Sequence, residues 1–197
     1  MLSTTMETYT GKKVDLAKPD PATINIDDIA WHLARIPRFL GATRSDNVYN
    51  VAQHSVLVLN RVRQQNPDAN ICLLITALLH DAHEAYIGDI ERPVGQLLDL
   101  AQPIRRLKDR VQNAIHLGLL REHRFEGKKF AAYIGSAVRE ADNWAGTYEA
   151  YHLMHSRGKW YGNPSMLDEE FIMRNFIVWA PAQAQASFLN HYRDLTS

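Results

Sequence analysis

The 197-residue sequence has a single cysteine, Cys72. An intrachain disulfide is therefore impossible, and a cysteine-built zinc site is excluded. Cys72 lies in the apolar run Ile71–Ile75 and reads as a buried core thiol. No apolar run approaches the roughly 20 residues that a membrane-spanning helix needs. The first residues lack the charged-then-apolar layout of a signal peptide. No membrane association is expected, and the expected location is the cytoplasm, or the host cytoplasm if the protein is viral. Net charge is also missing: 22 Lys and Arg balance 22 Asp and Glu. Without a global basic field, nucleic acid is not an expected partner. A small basic pocket for a small anion stays open. Repeats and low-complexity segments are absent too, and no interior linker divides the chain. Residues 1–197 read as one domain.

What is present is mostly helical periodicity. Residues 6–17 alternate weakly around Gly11-Lys12 and read as a short hairpin. Residues 26–36 carry Ile26, Ile29, Ala30, Leu33 and Ala34 on one helical face. Pro37 stops that helix, and residues 38–49 read as a loop. Residues 50–64 form a helix with Val51, Val56, Val58, Leu59 and Val62 as core candidates. A central helix, apolar nearly all round, runs to about Tyr86, capped by Asp68 or Asn70. Further helices are expected over 103–117, 129–155, 167–178 and 181–193, with a polar connection over 118–128. The fold class is all-α with a short N-terminal β-hairpin.

Chemistry concentrates at the end of the apolar central helix, in Leu78-Leu-His-Asp-Ala-His-Glu-Ala-Tyr-Ile-Gly-Asp-Ile90. Burying His80, Asp81 and Glu84 there is costly without compensation. A divalent cation compensates, because imidazole and carboxylate both ligate zinc, manganese, cobalt or iron. Glu84 follows His80 by four residues and Asp81 by three, so all three can face one pocket. Asp89, just past Gly88, can reach the same pocket. An isolated His-Asp pair is weak evidence, but two outlying residues extend it. His54 lies early in a helix among apolar neighbours, and Asp142 lies inside a largely apolar helix. His54, His80, Asp81 and Asp142 together make a two-His, two-Asp site on three helices. Such a site leaves room for water and a phosphate oxygen.

With these residues in place, the chain resembles the HD-domain phosphohydrolase superfamily, whose pattern is H…HD…D on a helical bundle. Around His80–Pro93 it is similar to bacterial 5'-deoxynucleotidases. It also resembles small phage dATP triphosphohydrolases at its front: Thr8-Tyr-Thr-Gly11, Ile26-Asp-Asp-Ile-Ala30, Pro37-Arg-Phe39 and Tyr49-Asn-Val-Ala-Gln-His-Ser55. The similarity covers about residues 6–155; the last forty or so carry no recognised motif.

The resemblance implies an HD-domain bundle and an enzyme. His54, His80, Asp81 and Asp142 match metal ligands, for zinc, cobalt, manganese or magnesium. Glu84 and Asp89 match catalytic acids: Asp89 to orient or deprotonate water, Glu84 to protonate the leaving group or hold a second metal. Arg38 matches a phosphate-binding arginine and Phe39 an aromatic beside it. The implied reaction is hydrolysis of dATP to deoxyadenosine and triphosphate. Two alternatives stand beside it, a 5'-deoxynucleotidase and a non-catalytic nucleotide-binding module. The expected partner is a small-molecule nucleotide, and self-association into a homo-oligomer is expected by resemblance alone. One departure is visible. Many relatives carry lysine after the Pro-Val or Pro-Leu that follows Asp89, where this chain has Gly95. Arg92, Arg105, Arg106 or Lys108 could take its place.

Other residues have plainer readings. His83 reads equally as a pocket wall or as a group behind the ligands. His32, His116, His123, His155 and His191 read as surface or partly packed residues. His152 and His155 share helical spacing but lack a third ligand nearby. Trp144, Tyr148 and Tyr151 read as a packed stripe, with nucleobase stacking as the alternative; Trp31 and Phe39 have a similar ambiguity. Arg105, Arg106, Lys108 and Arg110 read as a solvated helix face.

Overall fold

The computed structural model describes residues 3–120, 128–173 and 175–197. His123 and most of the expected 118–128 connection lie outside them. Among the described residues, a two-stranded antiparallel hairpin, β1 (Thr5–Glu7) and β2 (Lys13–Asp15), precedes an all-helical body. The helices are α1 (Ile26–Leu33), α2 (Val51–Gln65), α3 (Ile71–Leu78), α4 (Glu84–Ile87), α5 (Arg92–Gly95), α6 (Leu98–Leu119), α7 (Lys128–Leu153), α8 (Glu169–Ile172) and α9 (Pro181–Thr196).

Helix starts follow local chemistry. Asn25, Asn50 and Asn70 each sit in extended backbone and accept a first-turn backbone N–H, at 2.9 Å from Asp27, 3.0 Å from Gln53 and 2.9 Å from Leu73. Each cap stabilises its helix by about 1 kcal/mol. Of the two cap candidates for α3, Asn70 is the one used. The core joins α2 to α3, α7 and α9, and α1 to α4 and α9. Leu33, Leu59, Leu78, Ile115 and Phe188 are fully buried in it, each stabilising by about 1.5–3 kcal/mol. Cys72 lies at the margin of this core, only partly buried.

The hairpin is held to α1 through Asp28. Its buried carboxylate accepts from Thr8 Oγ1 at 2.9 Å, Thr10 N at 2.7 Å and Thr10 Oγ1 at 2.9 Å. His32 bridges hairpin, α1 and α4, accepting from Tyr9 N at 3.2 Å and donating to Ala85 O at 2.7 Å. Tyr9 stacks on Trp31 with centroids 3.7 Å apart, so Trp31 serves as packing.

Four boundaries differ from the sequence reading. The central helix does not run through to Tyr86. It breaks after Leu78 into tight turns, in which Ala82 N, Glu84 N and Ala85 N donate to carbonyls three residues back. Tightening there re-aims the His80–Glu84 side chains. α6 begins five residues earlier than Pro103, which lies inside it. The proline only removes an N–H near an exposed start, where water reaches the freed carbonyl. α1 ends at Leu33, short of residue 36. The helix expected over 167–178 shrinks to α8, and residues 175–180 run without helix. Buried Gln53 competes for that backbone: it donates to Ile177 O at 2.7 Å and accepts from Trp179 N at 2.8 Å.

Candidate metal centre

Three parts of the chain deliver four side chains to one point. α2 brings His54 in its first turn, the turns after α3 bring His80 and Asp81, and the middle of α7 brings Asp142. His54 Nε2 lies 3.2 Å from His80 Nε2, 3.5 Å from Asp81 Oδ2 and 3.2 Å from Asp142 Oδ1. His80 Nε2 lies 3.1 Å from Asp81 Oδ2 and 3.9 Å from Asp142 Oδ1. Two ligands about 2.1 Å from one ion at tetrahedral or octahedral angles lie about 3.0–3.4 Å apart. Ligand atoms of His54, His80 and Asp81 fall within 4.8 Å of one another and could hold a metal ion. Asp142 is outside that group of three but adjoins it, with Oδ1 3.2 Å from His54 Nε2 and 3.9 Å from His80 Nε2.

Hydrogen bonds at the far side of each ring fix which nitrogen faces this point. His80 Nδ1 sits 2.9 Å from Ala77 O, a pure acceptor, so Nδ1 carries the proton. His54 Nδ1 sits 2.5 Å from Glu149 Oε1. With both Nδ1 atoms donating, two Nε2 lone pairs face each other at 3.2 Å. That arrangement is repulsive unless a cation or an added proton lies between them.

Glu149 is the residue that sequence reasoning missed. Its carboxylate is fully buried and receives three partners: His54 Nδ1, Tyr49 Oη at 2.8 Å and Arg38 Nε at 3.1 Å. Such a carboxylate behind a histidine fixes its tautomer and raises its basicity as a ligand. The available signal was spacing. Glu149 follows Asp142 by seven residues, two helical turns along the same face of α7.

The charges answer one another. Burial and the Arg38 charge oppose protonation of His54, yet Glu149, Asp142 and Asp81 raise its pKa well above the ordinary value. Burial likewise opposes protonation of His80, but Asp81 raises its pKa. Asp81 is held well below the usual carboxylate range, against burial, by His80 and His54. Asp142 is brought to about 2, against burial, by hydrogen bonding and charge from His54. Burial opposes ionisation of Glu149, and Arg38 and His54 overcome it.

The centre opens into a cleft of about 1160 Å³. Arg38, Phe39, Glu84 and Asp89 line it. Arg38 keeps Nη1 at 3.9 Å from Asp81 while Nε holds Glu149. Its position follows from a clamp: Arg38 N donates to Tyr49 O at 2.9 Å, and Val51 N to Ile36 O at 3.1 Å, closing the loop before α2. Phe39 and Leu40 inside that loop adopt φ of 53° and 51°. Two consecutive left-handed non-glycine residues cost about 1–2 kcal/mol each. Phe39 then meets Tyr161 edge-to-face at 5.6 Å.

Glu84 is displaced in the opposite direction from Asp81 and Asp142. Burial, with Asp81 and Asp89 nearby, pushes it up to about 9. Its Oε2 is buried without a hydrogen-bond partner, and Oε1 lies 3.8 Å from Lys108 Nζ. Burial also raises Asp89, with Arg38 opposing and Asp81 reinforcing. His83 is a cleft wall: burial lowers it to about 4, and its Nε2 has no partner. Its backbone N–H and Nδ1 both meet Gln112 Oε1 at 3.2 Å.

The remaining candidates divide. Trp144 stacks on Tyr148 at 5.0 Å, both buried, so that stripe is core. His152 packs against Phe176, His155 is exposed, and His116 accepts from Gln112 Nε2 at 2.9 Å. The basic run on α6 is not one solvated face. Arg105 and Lys108 line the cleft, while Arg110 donates to Leu16 O at 3.3 Å. Among the described residues, no helix is long and apolar enough to cross a membrane.

No family model matches the chain. It is 39% identical over 107 residues to an uncharacterized protein of Rhodobacter capsulatus, covering 54% of each chain. The chain thus spans about half the length of that relative. It is also 29% identical over 195 residues to the uncharacterized protein YfdR of Escherichia coli, covering 97% of this chain and 95% of that one.

Proposed function

We propose that the chain is a metal-dependent phosphohydrolase of the HD type acting on a deoxynucleoside triphosphate, with dATP as the leading substrate. The observation that carries this reading is the pair of Nε2 atoms 3.2 Å apart, flanked by two carboxylates. A cation between them would relieve their repulsion as an added proton does, and the donor set of two imidazoles and two carboxylates suits a divalent one.

The bound ion would polarise a phosphate oxygen and lower the pKa of water. The rest falls to side chains of this chain. Arg38 donates to the phosphate, its guanidinium held in place by Glu149. Asp89, its basicity raised by burial, takes a proton from the attacking water. The new bond forms between water oxygen and phosphorus, and the bond from phosphorus to the nucleoside 5'-oxygen breaks. Glu84, protonated at neutral pH by its raised pKa, gives its proton to that departing oxygen. The products are a deoxynucleoside and triphosphate. Phe39, Tyr161 and Trp160, the last 85% exposed, line the cleft with aromatic surface suited to a base.

The test is incubation of metal-loaded protein with dATP and with dAMP, followed by product analysis. Triphosphate released from dATP is the expected result. Hydrolysis of dAMP alone would move the assignment to a 5'-deoxynucleotidase. An Asp81→Ala variant as active as the wild type would refute the site.

A further inference from the structure

The cleft has a cationic wall on α6, in which Lys108 meets Glu84 and Arg105 meets no acid among the described residues. α6 turns Arg105 and Lys108 toward it, three residues apart and therefore on one helical face. Arg92 lines it from α5, whereas Arg106 does not. Lys108 Nζ is 3.8 Å from Glu84 Oε1, which places it one step beyond the Asp81–Glu84 pair. Its charge is felt at Glu84, Asp89 and His83 alike. Arg105, one helical turn further along, makes no hydrogen bond or ion pair among the described residues. Glu91 and Asp109 also reach the cleft, so the cations form a narrow feature, not a general basic field.

We infer that Arg105 and Lys108 bind the distal phosphates of a polyphosphate chain whose first phosphate lies at the metal centre. The inference rests on the phosphohydrolase reading and deepens it. A lone phosphate on the centre is within reach of Arg38 and leaves Arg105 without a partner. A longer anion running from the centre past Glu84 meets Lys108 and then Arg105. These two side chains extend the cationic lining of the cleft beyond Arg38. They thereby set a preference for triphosphates over monophosphates.

The probes are inorganic tripolyphosphate and orthophosphate, titrated calorimetrically into Mn²⁺-loaded protein at fixed ionic strength. Binding is thus read without turnover. The wild type should bind tripolyphosphate at least about tenfold tighter than orthophosphate, the weight of one charge-assisted contact. The Arg105→Ala/Lys108→Ala double variant should lose about tenfold or more for tripolyphosphate and much less for orthophosphate. Arg106→Ala, outside the cleft, should change neither. Equal losses for both anions, or an equal loss in Arg106→Ala, would overturn the inference. Both substituted side chains reach solvent, so the fold should survive; circular dichroism checks that. If no nucleotide were hydrolysed but the tripolyphosphate preference held, the phosphohydrolase reading would fail while the anion site stood.

Discussion

His54 and Glu149 share a 2.5 Å hydrogen bond, although 95 residues separate them. Through it, a carboxylate on α7 decides which nitrogen of an imidazole on α2 faces the cleft. The same carboxylate holds Arg38 and Tyr49, so one buried residue organises three others around the centre.

Glu149→Gln keeps the size but loses the charge. Metal affinity should fall about 10–100-fold, as when other carboxylates behind a ligating histidine are removed. Glu149→Ala should also destabilise by about 1–3 kcal/mol, because it takes from His54, Tyr49 and Arg38 the acceptor they share. Zinc or manganese titration and urea unfolding measure the two effects. Unchanged affinity in the Gln variant would show that the imidazole orients itself without help.

Chelation should lower thermal stability. A ligand held only by the folded state stabilises by about 2.7 kcal/mol when its free concentration is 100 times Kd. Removing the ion leaves a proton to take its place between the two imidazoles, since His54 and His80 both have raised pKa values beside Asp81 and Asp142. Differential scanning fluorimetry with and without EDTA reads this, and His54→Ala should be insensitive to the chelator. A wild type equally insensitive would argue against any bound ion.

Glu84 makes the stability of the metal-free protein fall with rising pH. Its ordinary pKa is 4.5 and its folded one about 9, so the folded state holds a proton that the unfolded chain has released. Stability therefore declines between those values and levels off above the higher one. Glu84→Gln removes its share of the slope, and its melting temperature should exceed that of the wild type most at the alkaline end of the window. Parallel melting profiles for the two proteins from pH 5 to about 9 would contradict the raised pKa.

Gly162 has φ of +85°, and a Cβ there would collide with Thr147 on α7. Gly162→Ala should destabilise by about 2 kcal/mol or more through strain and overlap together. Thr147→Ala in the same chain should recover the share due to Oγ1 and leave the strain and the tight approach to Cβ and Cα of residue 147. Equal stability of the single and double variants would show that the overlap carries no cost.

The helical body, the hairpin and the grouping of His54 with His80 and Asp81 were legible in the residues because their signals are local. Apolar spacing marks a buried face, asparagine marks a helix start, and a burst of ionisable groups at the end of an apolar helix demands a partner. The break after Leu78 was not legible. Its apolar periodicity continues, and only the turn hydrogen bonds of the folded chain reveal it. The run at 167–178 failed for the converse reason: Gln53, far away in sequence, takes the backbone groups that a helix would have used.

Composition and spacing thus determined by themselves an all-helical chain with a short hairpin, and they named His54, His80 and Asp81, the group that could hold a metal ion. Tertiary structure alone decided that Glu149 stands behind His54, that Glu84 is buried enough to keep its proton, and that Arg105 and Lys108 but not Arg106 turn into the cleft. The physical reason is range. Propensity and periodicity act over a few residues, whereas desolvation and charge pairing depend on what packing brings within a few ångströms.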